Sequence, residues 1–141
     1  MPARYRSVNH PRVFGQFLKF GVVGVVGFLF DTATVYATRG LLGIYGAGLL
    51  AYAVAATVNW ALNRAWTFRG RGRPGAAHRQ WLLFLAANLA GFVLNRGTFV
   101  LLVAFVPLCA AEPVLAVAAG AVAGMLVNFG LNRSIVFPQA R

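Results

Sequence analysis

VNWALNRAWTF, Val58 to Phe68, returns 69 positions later as VNFGLNRSIVF, Val127 to Phe137. Asn59, Leu62, Asn63, Arg64 and Phe68 recur as Asn128, Leu131, Asn132, Arg133 and Phe137 in one ungapped register, a match that chance explains poorly. The register continues upstream through small residues, with Ala47, Ala51 and Ala55 aligned to Ala116, Gly120 and Gly124. Residues four apart share a helix face. Each copy therefore predicts a helix whose close-packing stripe leads to two amides and ends in an arginine. The preceding segments match as well: GFLFD, Gly27 to Asp31, returns as GFVLN, Gly91 to Asn95, at an offset of 64. The difference between the two offsets falls in the connection around PLCAAEP, Pro107 to Pro113, where a loop tolerates insertion.

Apolar residues make up 60% of the 141-residue chain and charged ones 11%, with a mean hydropathy of +0.71. A soluble domain is about half apolar and a quarter charged, so these figures imply a one-domain membrane protein. The net charge of +11 sets 13 Lys and Arg against Asp31 and Glu112. Most of the basic residues bracket apolar segments, as juxtamembrane cations do, so no nucleic-acid partner is expected despite the charge. Cys109 is the single cysteine, which excludes an intrachain disulfide and a cysteine-based metal site. The first apolar run is of span length and has no small-residue cleavage site, unlike a signal peptide.

Residues 1–16 form a polar, basic cytoplasmic N-terminus, and a transmembrane domain follows over 17–138. Spans are predicted at about 17–38, 46–66, 81–106 and 114–133, each near the roughly 20 residues that cross the hydrocarbon core. Arg39 to Tyr45, RGLLGIY, predicts a tight turn, and Arg69 to Pro74, RGRGRP, with His78 and Arg79, a basic loop. Lys19 is placed to snorkel, and Trp60 and Trp66 to anchor at the interface. The positive charges put both termini and the 69–79 loop on the cytoplasmic side of a multi-pass protein. The expected fold is thus an all-α integral membrane bundle: four transmembrane helices as two tandem two-helix repeats in parallel orientation, N-in and C-in.

Ionisable groups inside a bilayer are costly and mark pathways or sites. Asp31 and Arg96 fall at nearly the same predicted depth and are candidates for an intramembrane charge pair. Asn59, Asn63, Asn128 and Asn132 lie on the small-residue stripes, where amides bond across helices. Helix glue needs no adjoining cation, whereas an anionic head group suits a guanidinium fork with donors nearby. Asn59, Asn63, Arg64, Asn128, Asn132 and Arg133 are therefore the candidate lipid-phosphate and substrate-binding residues. His10 and His78 sit in polar flanks and the two carboxylates on separate segments. No catalytic set, cofactor or metal site is expected, and no enzyme.

FLKFGVVGVVGFLFD (Phe17 to Asp31), VNWALNRAWTF and NFGLNRSIVF together make the chain resemble the GtrA-like proteins over about residues 15–138, the LNRxWTF element being the most specific part. In the second copy Ile135 stands where the first has Trp66. The resemblance implies four transmembrane helices and the flipping of polyprenyl-phosphate-linked sugars across the cytoplasmic membrane for cell-surface polysaccharide synthesis. The implied partners are the lipid bilayer and the lipid-linked sugar. Two other functions fit the same residues: a non-transporting membrane anchor that recruits a glycosyltransferase, and a small proton-coupled cation or drug antiporter. Arg96 counts against the antiporter by neutralising Asp31. A homodimer would enlarge the little space that four short spans enclose.

Overall fold

The computed structural model describes residues 10–72, 75 and 77–139, and all regular structure among them is helical. Helix α1 (His10–Leu62) runs into a π-helical turn, Asn63–Thr67. Helix α2 (Ala77–Phe105), the single turn α3 (Pro107–Ala111) and α4 (Pro113–Leu131) follow, and a second π turn, Asn132–Val136, ends the last helix. The expected exposure of residues 1–9 lies outside the described residues. Among the described residues, three stretches are long and apolar enough to cross a membrane: Pro11–Thr67, Ala77–Phe105 and Pro113–Val136. Leu41, Tyr45 and Phe105 are among many large apolar side chains left on the surface, a pattern that lipid accommodates and water does not. The chain divides into two compact units, Met1–Thr67 and Phe68–Arg141.

In the first unit the apolar stretch of 57 residues would measure about 85 Å if straight, almost three times the roughly 30 Å of hydrocarbon. Gly43 interrupts it, at φ 67° and ψ 171°, a conformation open essentially to glycine alone. The chain doubles back there, because Gly27 and Asn59, on opposite sides of the break, come into contact. The seven-residue turn expected at Arg39 to Tyr45 is thus confined to one residue. Lipid offers backbone groups no other partners, so the shortest interruption of the helical ladder is the most favourable one. The helix also starts at His10 rather than near residue 17. Pro11 suits a first turn, and apolarity limits where a span ends without limiting where a helix ends. Phe20, Val23 and the stripe Ala47, Ala51 and Ala55 are buried.

In the second unit α2 begins at Ala77, ahead of the expected Trp81. PLCAAEP is not an irregular loop, since it holds α3 with Cys109 buried. Pro107 and Pro113 each stand in the first turn of a helix, where the fixed proline φ is pre-organised and the missing N–H costs nothing. A β-carbon on Gly120 would stand 2.6 Å from the Asn95 carbonyl oxygen, and one on Gly124 2.8 Å from that of Gly91. The backbones of α2 and α4 therefore touch across these glycines, the close approach that small residues permit in membrane helices. Phe68 packs here too, stacked on Phe137 with centroids 4.9 Å apart and on Phe129 at 6.1 Å. The closing phenylalanines of the two sequence copies thus stack on each other, both fully buried.

Candidate functional site

Each sequence copy presses its first amide onto a glycine of the preceding segment. A β-carbon on Gly27 would land on the Asn59 carboxamide, and one on Gly91 on that of Asn128. These are the two glycines that open GFLFD and GFVLN. The Asn59 and Asn128 side-chain oxygens are buried and find no N–H or O–H donor among the described residues. Each faces a glycine Cα–H instead, a weak donor that recurs where helices approach closely. Asn59 and Asn128 therefore act as clasps between helices.

Asn63 and Asn132 differ from them. Each is the first residue of a π turn, and their side chains are 2% and 0% exposed. The wide turn is closed by the Phe137 amide donating to the Asn132 carbonyl at 2.8 Å, an i to i+5 bond. The Asn132 Nδ2 donates back to the Asn128 carbonyl at 2.8 Å. Among the described residues, the Oδ1 atoms of Asn63 and Asn132 are buried without a donor, the Trp60 Nε1–H without an acceptor, and the Thr67 hydroxyl without either. An orphaned buried polar group costs about 1–3 kcal/mol, so the same orphan in both copies is a matched expense at matched positions. Single π turns of this kind recur at functional sites.

The arginines leave the amide face. Arg64 follows Asn63 by one residue, about a quarter-turn further round the helix, and is exposed with its guanidinium 5.5 Å from the Trp60 ring centre. Arg133 is half-buried. Lys19 Nζ lies 5.3 Å from the ring centre of Trp66, so the lysine near the start of the long apolar stretch and the tryptophan near its far end share one level. Asp31 is half-buried in the first unit. Arg96 is exposed in the second, 5.8 Å from the Phe92 ring centre.

Arg71 is a residue that the sequence pattern does not single out, because Arg69, Arg71 and Arg73 alternate with glycines in one basic run. It donates from Nε to the Phe137 carbonyl and from Nη2 to the Arg133 carbonyl, both at 2.8 Å. The Gly72 amide donates to the Pro138 carbonyl at 2.9 Å, and Gln80 Nε2 to that of Val136 at 3.2 Å. Carbonyls that a helix end leaves without intrahelical partners are thereby satisfied by a cation and two amides. Burial, and then the neighbouring charge of Arg133, hold the Arg71 guanidinium below the usual arginine range; it stays protonated. A cleft of about 340 Å³ opens beside this second π turn, with Arg79, Leu83, Ser134 and Ile135 in its walls.

Long apolar helices with lipid-compatible surfaces, glycine-mediated packing and basic flanks define an integral membrane protein of the all-helical class. Within it, the chain belongs to the GtrA/DPMS transmembrane-domain family, whose model matches residues 19–137. No curated protein matches the chain.

Proposed function

We propose that this chain translocates polyprenyl-phosphate-linked sugars across the cytoplasmic membrane for cell-surface polysaccharide synthesis, without catalysing a covalent step. The observation that carries the proposal is the duplicated element, buried amides followed by an arginine, at corresponding positions of two units in a GtrA/DPMS chain. In this reading the first long stretch crosses twice, with four spans in two parallel repeats, N-in and C-in, and the break at Gly43 supports it. Arg64 and Arg133 then stand at the cytoplasmic ends, where a guanidinium fork meets a phosphate bidentately. Arg71 beside Arg133 makes the second unit the more cationic. The basic cytoplasmic face suits a membrane glycosyltransferase as partner, and a second copy of the chain would enlarge the enclosed space.

Liposomes containing the purified protein should move a polyprenyl-phosphate hexose between leaflets faster than protein-free liposomes, and Arg64→Ala with Arg133→Ala should slow that movement. No acceleration would overturn transport. The anchor alternative, which a family defined by a transmembrane domain also suits, is tested by co-purification of a glycosyltransferase. Single cysteines at Gly72 and Ala110 should be labelled from opposite sides of the membrane; labelling from one side would refute the topology.

Asp31 and Arg96 are proposed to pair along the route of the head group. Removing one charge alone should cost about 3–5 kcal/mol. Asp31→Asn with Arg96→Gln should restore stability and leave transport low, and full transport by that double variant would exclude a role in the pathway.

A further inference from the structure

Asn63 and Asn132 have side-chain oxygens that can only accept hydrogen bonds, and both are enclosed without a donor. A phosphate at neutral pH also presents acceptors, so these oxygens repel it. A sugar hydroxyl donates. We propose that each unit makes its own head-group contact, Asn63 or Asn132 accepting from a sugar hydroxyl while the adjoining Arg64 or Arg133 takes the phosphate, an inference that rests on the lipid-linked-sugar function proposed above. The other buried orphans do not share this arrangement. The Asn59 and Asn128 oxygens are turned onto glycines, and Thr67 and Trp60 have Val136 and Phe129 as counterparts in the second copy. Among the described residues, only Asn63 and Asn132 combine near-complete burial, an orphaned acceptor, the first position of a π turn and a cation next in sequence. The order along the chain, acceptor then cation, matches the order along the head group, where the sugar hydroxyls adjoin the phosphate. Opening to admit a hydroxyl falls to the π turn, the interruption of the α-helical ladder beside each asparagine.

The test compares two probes on the purified full-length protein: polyprenyl phosphate carrying glucose, and the same polyprenyl phosphate without sugar. Asn63→Leu with Asn132→Leu keeps the branched four-atom shape of the side chain and removes the acceptors, together with the Asn132 Nδ2 bond to the Asn128 carbonyl. It should weaken the glucose-bearing lipid about tenfold, as the loss of one to two hydrogen bonds does, and leave the bare lipid within about twofold. Equal losses for both lipids, or none for either, would overturn the assignment. A fold-independent arm uses the unsubstituted protein with deoxyglucose lipids: at least one missing hydroxyl should weaken binding by about tenfold, and undiminished binding of every deoxy analogue would overturn the assignment as well. Failure of the unsubstituted protein to bind either lipid would overturn the lipid-linked-sugar function itself, a result visible before any variant is made.

Discussion

The chain carries two copies of one eleven-residue element on differently built supports. In the first, the chain reverses at one residue, Gly43, and the small stripe is all alanine; Arg64 is exposed beside Trp60. In the second, the reversal takes a helical turn between two prolines, the stripe has glycines at 120 and 124, and Arg133 is half-buried beside Arg71. Yet in both, the first amide rests on a glycine and the second begins a π turn. The conformation of the element is therefore set by its own residues and the glycine it meets, while reversal, stripe and cationic surroundings can change around it.

Exchanging the stripes is the strongest way to break this comparison. Gly120→Ala with Gly124→Ala gives the second unit the residues of the first, and each methyl would enter space held by backbone. Each should cost about 1–3 kcal/mol, read as a lower melting temperature in detergent. The reverse pair, Ala51→Gly with Ala55→Gly, should cost only the helix-propensity difference, about 1 kcal/mol each. Equal losses in the two exchanges would show that the stripes pack alike.

The reversals come next. Gly43→Ala puts a β-carbon into a backbone conformation that L residues avoid and should destabilise by about 1–3 kcal/mol. Ala110→Gly, in α3, is an exposed helical position and should cost no more than about 1 kcal/mol. Protease sensitivity of the two connections would separate them.

Arg71→Ala removes two hydrogen bonds to the carbonyls at the end of the second element and should cost about 1–3 kcal/mol, with faster amide exchange at Phe137. Arg64→Ala, whose side chain is exposed, should leave stability within about 0.5 kcal/mol. The smallest effect is expected of Trp66→Ile, which gives the first copy the residue of the second at an exposed position. Its stability should also stay within about 0.5 kcal/mol, and a larger loss would show that the contact of Trp66 with Lys19 holds the first unit together.

Composition and the repeated LNR element determined by themselves that this is a helical membrane protein, which segments correspond, and which residues carry amides and cations. Apolarity, helix period and repeat register are properties of the chain read linearly, and each leaves its mark there. Only the tertiary structure decided that Gly43, and not its neighbours Gly40 or Gly46, takes the positive φ. It also decided that Gly27 and Gly91 exist to receive Asn59 and Asn128, since that need arises from a residue on another part of the chain. The sequence grouped the four asparagines as one kind. Packing divided them into two whose carboxamides press on a glycine and two that open a π turn, because what a buried amide meets depends on what surrounds it in space. Arg71 was hidden for the same reason: among three arginines alternating with glycines, the carbonyls that distinguish it lie more than sixty residues further along the chain.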